Sequence, residues 1–263
     1  MKKAFIQLHI AVFLAGFTGI LGRLINLDAP MLVWYRMLIT SITLAAILIF
    51  RKELERLVLK NLMKLFGVGA IVAVHWVTFY ASIKFSNVSV SLTCFSAIGF
   101  FTAFLDPLIM RRRIDIAEVF LGVLAIAGIY LIFDFYPEFK LGIFFGIISA
   151  LLASLFPILN KNLLHEFSAK TVTLYEMTGG FIALTFIMPL FLKMHPVAYF
   201  LPTAIDWFWL LMLSWVCTVF TFILALNALK KISPFTANLA YNLEPVYGII
   251  LAFIFFKEKK NLI

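Results

Sequence analysis

Several charged side chains stand inside long apolar stretches of this sequence. Arg36 lies in "VWYRMLITS", Glu176 in "TLYEMTGG" and Glu244 in "NLEPVYGII". A charged group at the centre of a lipid bilayer costs about 2.5–3.5 kcal/mol on insertion scales, so each one needs a reason to be there. Glu244 can bind a proton or the cationic group of a substrate, and Arg36 can attract an anionic group such as a carboxylate.

Each of these charged groups also has a structural interpretation. Glu244 could pair with a neighbour such as Asn242, or with backbone groups that Pro245 leaves free. Arg36 could extend its guanidinium to the lipid headgroups. Glu176 could be a gate, a proton site or an interfacial residue near the inner leaflet. The sequence leaves these alternatives open.

A polar and aromatic stripe, "HWVTFY", lies at residues 75–80, in the third apolar stretch of the chain. An imidazole at membrane depth can relay protons, although it can equally be a hydrogen-bonded residue of a helix bundle. Aromatic walls suit a metabolite with an apolar part, although tyrosine is also a common packing residue. The candidate substrate- or proton-binding residues are Arg36, His75, Trp76, Tyr80, Tyr175, Glu176, Tyr241, Asn242 and Glu244.

The composition sets the class of protein that must position these residues. Hydrophobic residues make up 63% of the 263 residues and charged residues only 13%, whereas soluble domains carry about 25% charged residues. The chain is therefore expected to be an integral membrane protein. Its Lys and Arg residues form short clusters between apolar runs, which argues against a nucleic-acid-binding face. Cys94 and Cys217 both lie in apolar runs and are expected to be packing residues.

The apolar runs predict an all-α polytopic membrane protein. A helix needs about 20 apolar residues to cross a bilayer, and open sheets cannot satisfy their edges in lipid. Short connections between runs make neighbouring helices antiparallel. Pro157 and Pro245 are expected to kink their helices. The nine predicted spans are 4–26, 29–50, 61–83, 88–110, 114–135, 141–164, 168–192, 207–229 and 232–256.

The distribution of Lys and Arg predicts the orientation in the membrane. With a cytoplasmic N-terminus, 14 of these residues fall on the inside and 7 on the outside, and Arg36 lies within a span. Cytoplasmic loops carry the excess of positive charge, so this orientation is expected. The N-terminal apolar run is interpreted as a first membrane helix rather than a cleaved signal peptide. The expected location is the inner membrane of a bacterium.

Two alignments within the chain predict an internal repeat. Residues 33–49 align with 173–189, which places Arg36 opposite Glu176, and residues 84–116 align with 231–263. A repeat of five helices has an odd number of spans, so its second copy enters the membrane from the opposite side. We therefore expect repeats at 1–136 and 137–263. The second contains four spans, so a tenth helix is expected and is missing from this chain; a reading frame that continues with apolar codons would supply it.

Four stretches resemble the drug/metabolite transporter superfamily, in particular its EamA-type members. They are "FLAGFTGILGRLI", "VWYRMLITS", "HWVTFYASIKFSNVSVSL" and "NLEPVYGIILAFIFFKEK". The last contains a proline within the span and then a glutamate in a short charged turn, here Pro245 and Glu258. The resemblance implies two inverted five-helix repeats around a cavity, and export or exchange of small metabolites such as amino acids without ATP. The absent last helix departs from this pattern.

The motifs of several enzyme classes are absent. The sequence contains no phosphate-binding loop, no H-E-x-x-H and no G-x-S-x-G motif, so we expect no enzyme, no cofactor and no metal site. The expected function is a secondary transporter that works by alternating access. Its expected partners are a small-molecule substrate and the lipid bilayer, with protons as a candidate coupling ion and no nucleic acid. Monomer and homodimer stay open, and the alternatives are a non-transporting membrane subunit or sensor and, with less support, an intramembrane enzyme.

Overall fold

The computed structural model describes residues 1–135, 137–194 and 200–256, and every predicted span is helical in it. The charged cluster at 257–260 lies outside the described residues. Helices occupy the chain in the order α1 Lys2–Leu24, α2 Ala29–Phe50, α3 Leu59–Phe85, α4 Val88–Phe95, α5 Ile98–Met110, α6 Ile116–Phe135, α7 Lys140–Glu166, α8 Ala169–Met194, α9 Ala204–Ser214, α10 Thr221–Leu229, α11 Pro234–Tyr241 and α12 Glu244–Phe256.

The protein is a multi-pass membrane protein. Eight helical segments of the described chain are long and apolar enough to cross a membrane, and α6 is a further helix of 20 residues at the fifth predicted span. Large apolar side chains lie exposed around the bundle, including Phe50 at 87% and Phe186 at 81% exposure. Such a surface would be unfavourable in water, and lipid is the solvent that suits it.

The two halves of the chain pack mainly against each other. In the first half, α3 packs against α7 and α8, while α1 packs against α10 and α12. A 3₁₀ turn, Pro137–Phe139, joins α6 to α7. Most of the interface that holds the bundle together is therefore an interface between the predicted repeats.

One span in each half is broken near its middle. The break between α4 and α5 lies at Ser96 and Ala97, and the break between α11 and α12 lies at Asn242 and Leu243. The sequence predicted a continuous span at 88–110, which the break at Ser96 and Ala97 corrects, whereas it predicted a kink at Pro245, three residues after the second break begins. The helix boundaries repeat at a constant spacing of 146 residues, from 88 to 234, from 95 to 241 and from 98 to 244, one residue fewer than the 147 of the sequence alignment.

Local sequence explains where the broken spans begin. Asn87 caps α4 by accepting a hydrogen bond from the Val90 amide at 2.8 Å. Ser233 caps α11 by accepting one from the Thr236 amide at 3.1 Å. Both side chains satisfy amides that a helix start leaves without partners. Pro245 lies in the first turn of α12, where its missing N–H costs nothing.

A row of small residues along α7 allows close packing between helices. Gly142, Gly146, Ala150 and Ser154 recur every four residues and are all buried. The backbone at Gly142 lies against Ser86, and the backbone at Gly146 lies against Cys94. Small residues let membrane helices approach closely where lipid gives no hydrophobic drive for association. This row fixes α7 against the end of α3 and against α4.

Candidate functional site

A cavity lies between the two halves of the chain. Its open volume is about 80 Å³, several times the roughly 10–15 Å³ of open space that one water needs. The interior of the bundle therefore has room for several water molecules or for part of a small ligand. Charged and polar lining residues come from both halves: Thr18, Arg36, His75, Asn238, Tyr241 and Glu244.

The cavity extends toward the end of the bundle that holds the N-terminus. Its wall includes Leu8 near the start of α1, Leu229 at the end of α10 and Ala237 near the start of α11. At the opposite end, the two halves are joined by a hydrogen bond of 2.9 Å from the Asn26 amide to the Asp206 carboxylate. Asp206 is almost fully buried there, because the start of α9 packs against the connection between α1 and α2.

Arg36 is held inside the bundle by three hydrogen bonds. Its Nε donates to the Thr218 hydroxyl at 2.8 Å, one Nη donates to the Tyr80 hydroxyl at 2.8 Å, and the other donates to the Cys217 carbonyl at 3.3 Å. The residue is only 2% exposed. Arg36 therefore does not extend to the lipid headgroups, which was one of the two interpretations left open by the sequence.

A π-helical turn supplies two of these acceptors. The turn spans Trp215–Phe220 between α9 and α10, and the hydroxyl of Thr218 donates to the carbonyl five residues earlier, at Leu213. The Cys217 carbonyl, which accepts from Arg36 at 3.3 Å, belongs to the same turn. Such turns frequently occur at functional sites.

Trp76 provides an aromatic face for Arg36. The guanidinium carbon lies 3.6 Å from the centre of the indole ring, a distance at which the ring stabilises the cation. The cavity wall next to Trp76 is apolar, since Trp76 packs edge-on against Phe222 and Phe222 stacks on Phe156. The cavity therefore combines one charged corner with a broad aromatic surface.

Glu244 is the first residue of α12 and lies directly at the break. It is 5% exposed and lines the cavity together with Thr18 and Arg36. A negative charge is favoured at a helix N-terminus, where backbone amides lack partners. The amide oxygen of Asn242, the neighbour expected to pair with Glu244, is buried with no hydrogen-bond partner among the described residues.

His75 lies on the cavity wall and is also a hydrogen-bonded residue of the bundle. Its Nδ1 lies 2.9 Å from the carbonyl oxygen of Ser149 and 2.9 Å from the hydroxyl of the same residue. The ring is surrounded by Phe79, Phe95 and Phe156. The contact links α3 to α7, and both interpretations of this histidine are compatible with its position.

The remaining candidates lie at different distances from the cavity. Tyr241 lines it, and Tyr80 lies behind Arg36 as its hydrogen-bond acceptor. Tyr175 does not line it, since its hydroxyl donates to the Glu55 carbonyl at the surface. Glu176 is fully buried and also lies outside the cavity lining. The structure therefore places five of the nine candidates in the cavity lining and leaves Tyr175, Glu176 and Asn242 outside it, with Tyr80 directly behind Arg36.

The two prolines have different surroundings. Pro157 lines the cavity, and α7 stays helical on both sides of it. Pro245 is buried in the first turn of α12, just after the break. The break in the first half contains no proline, so such a break can form without one.

Sequence reasoning missed Thr18, Thr218 and Asn238. Asn238 is almost fully buried and donates to the Thr102 hydroxyl at 2.8 Å, which joins α11 to α5. Its position four residues before Asn242 on one helix face was a usable signal. Thr18 and Thr218 gave no signal, because a threonine in a membrane helix commonly bonds to its own backbone.

Comparison with known proteins supports a transporter. A sequence model of the EamA-like transporter family matches residues 2–134 and 140–263. A protein of Archaeoglobus fulgidus, described as an uncharacterized transporter, is 27% identical over 154 residues, which are 59% of this chain and 53% of the relative. The match thus spans about half the length of that relative.

A solved structure shares the fold. It is described only as the crystal structure of a protein, and it superposes with a TM-score of 0.69 at 13% identity. The superposition covers 96% of this chain and 88% of the other. At 13% identity, this similarity shows a shared fold and nothing more.

Proposed function

Because this chain belongs to the EamA-like transporter family and is thus a membrane transporter, we propose that it is a secondary carrier. It moves a small metabolite across the membrane by alternating access, and the two halves, 1–136 and 137–263, are the inverted repeats that rock against each other. Its N-terminus is cytoplasmic, and the membrane is the bacterial inner membrane.

One observation carries this proposal. Two buried groups of opposite charge, Arg36 from the first half and Glu244 from the second, line the same cavity. Within the described residues, Arg36 forms no ion pair with a carboxylate. Charges in membrane spans are costly and mark substrate pathways, so a cavity that displays both of them has the properties of a binding site.

The chemistry of the wall supports a class of substrate. Arg36 and Trp76 form a corner suited to a carboxylate, and Glu244 lies where it can receive an amino group or a proton. Phe156, Phe222 and Leu226 provide an apolar surface for the rest of the molecule. We propose that the substrates are amino-acid-like metabolites, in particular those with apolar side chains.

The position of the cavity supports a conformational state. It extends toward the end of the bundle that carries the N-terminus, and contacts between α1–α2 and α9 join the halves at the other end. With a cytoplasmic N-terminus, this arrangement corresponds to an inward-facing carrier. To reach the outward-facing state, the bonds that Asp206 and Arg36 make to the opposite half must break.

Uptake into proteoliposomes tests the proposal. The chain is reconstituted, and the initial uptake of radiolabelled leucine, phenylalanine, lysine and glutamate is measured over a range of concentrations. We expect saturable uptake of leucine or phenylalanine, lost in Arg36→Gln and Glu244→Gln and retained in Thr178→Val, whose hydroxyl bonds only to its own helix. Uptake that rises linearly with concentration would count against a carrier, and uptake no greater than that of protein-free liposomes would favour a sensor or subunit.

A further inference from the structure

Glu176 forms a second polar site, separate from the cavity. It lies on α8 at 0% exposure, and neither carboxyl oxygen has a hydrogen-bond partner among the described residues. Its polar neighbour is Asn160 on α7, also at 0% exposure, whose amide nitrogen and oxygen are likewise unpaired there. The carboxyl and the amide are neighbours without reaching hydrogen-bond geometry in this state.

The charged groups on the surrounding helices do not reach Glu176. Arg36 on α2 binds Thr218 and Tyr80, His75 on α3 binds Ser149, and α10 carries no titratable side chain. Lys161 on α7 donates to carbonyls at the end of α10. The hydroxyls of Tyr35 and Tyr175 bind backbone carbonyls. The other titratable groups of α3, α7 and α8 lie at or near helix ends: Lys60, Lys64, Lys84, Lys140, His165, Glu166, Lys170 and Lys193.

An isolated carboxylate in such a place is strongly unfavourable. The side chain of Glu176 is 0% exposed, and the ion pairs among the described residues do not include it. A buried acid without a charged partner takes up a proton. A hard metal ion would be an alternative, but such ions take about six oxygen ligands, and the described residues contain no group of three or more His, Cys, Asp or Glu side chains that could hold one.

Glu176 also lies at a close approach between the two halves of the chain. The backbone carbonyl of Glu176 touches α3 at Gly69, and Gly180 on the next turn of α8 approaches the Gly69 carbonyl. Gly179 packs on the backbone of Phe66. Helices that meet through glycine can shift relative to one another with few side chains in the way.

We propose that Glu176 carries a proton that couples a pH gradient to substrate movement, with Asn160 as its hydrogen-bonding neighbour. This rests on the proposed carrier function and deepens it. In this state the group is the neutral acid. When α8 shifts against α3 and the site opens to water, the O–H bond breaks, the proton passes to water and the carboxylate remains. Before α8 can pack closely on α3 again, the carboxylate must take up a proton.

Transport in proteoliposomes provides the first test. Leucine accumulation under an imposed pH gradient is compared with leucine exchange without a gradient, in the wild type and in Glu176→Gln, which mimics the neutral acid. We expect the variant to exchange leucine at the wild-type rate while its accumulation falls to the level seen without a gradient. Full gradient-driven accumulation in the variant would overturn the proposal.

Infrared spectroscopy tests the proton site without any transport. The protein in liposomes near neutral pH should show the carbonyl band of a buried protonated carboxyl, and Glu176→Gln should remove intensity from it. Glu53→Gln is the matched control, since Glu53 is exposed and its hydrogen bond to Lys170 lowers its pKa. A Glu176→Gln spectrum identical to the wild type contradicts the proposal, whereas a wild type that shows the band but carries no leucine contradicts only the carrier function.

Discussion

The guanidinium of Arg36 lies over the indole ring of Trp76, with 3.6 Å between its central carbon and the ring centre. The same guanidinium bonds to Thr218 and Cys217 in the opposite half of the chain. One side chain thus forms the charged corner of the cavity and joins the two halves. Any state in which the halves separate at this point must replace these bonds, and a bound carboxylate is a suitable replacement.

We predict that Trp76→Leu weakens leucine binding. A cation over an aromatic face is stabilised by about 0.5–2 kcal/mol, which corresponds to roughly a 2- to 30-fold higher dissociation constant. Trp209→Leu is the control, because Trp209 packs on Phe208 outside the cavity lining. Binding is measured by scintillation proximity with labelled leucine. Equal effects of the two substitutions would mean that the ring contributes only to packing.

The π-helical turn gives a second prediction. Thr218→Val keeps the shape of the side chain but leaves the Nε of buried Arg36 without its acceptor, which should cost about 1–3 kcal/mol. Thr178→Val removes a hydroxyl bonded only to the Leu174 carbonyl of its own helix and should cost much less. Thermal unfolding in detergent compares the two variants. The interpretation of the turn is wrong if Thr178→Val lowers the midpoint as much as Thr218→Val does.

The crossing of α3 and α8 gives a third prediction. A Cβ at Gly69 would collide with the backbone carbonyl of Glu176, whereas a Cβ at Gly67 on the same helix would meet nothing within 4 Å. Gly69→Ala should therefore destabilise the protein by about 1–3 kcal/mol through overpacking. Gly67→Ala should leave it unchanged or slightly more stable, because alanine is the better helix former. Detergent melting curves of both variants test this, and indistinguishable curves would rule out the close crossing.

The two capped helix starts give a fourth prediction. Asn87→Ala and Ser233→Ala should each cost about 1 kcal/mol, the usual effect of losing an N-cap. Asn87→Asp should retain most of the stability, because its carboxylate can still accept from the Val90 amide. Melting temperatures in detergent provide the comparison. A loss of stability in Asn87→Asp equal to that in Asn87→Ala would exclude the capping role.

The sequence allowed much of this architecture to be predicted. Membrane spans follow from long apolar runs, and the α2 and α8 helices start 140 residues apart, at Ala29 and Ala169, as the alignment of Arg36 with Glu176 required. Arg36 and Glu244 were identifiable because buried charge in a membrane is costly. The sequence could only suggest that these two residues share a cavity, and the structure gives the position of that cavity.

Other features could not be predicted because they depend on packing between halves. The break at Ser96 contains neither proline nor glycine, so its local sequence is compatible with a continuous helix. The π-helical turn carries Thr218, which bonds to Arg36 across 182 residues of sequence. The isolation of Glu176 likewise depends on which groups the neighbouring helices direct elsewhere. Hydropathy patterns carry none of this information.

Counterflow of leucine tests the central claim most directly. Proteoliposomes are loaded with a high concentration of unlabelled leucine and diluted into a low concentration of labelled leucine. Alternating access through a site that contains Arg36 predicts that the label rises transiently above its equilibrium level in the wild type and only reaches that level in Arg36→Gln. A label that never exceeds equilibrium in the wild type, although leucine permeates, would contradict the carrier account.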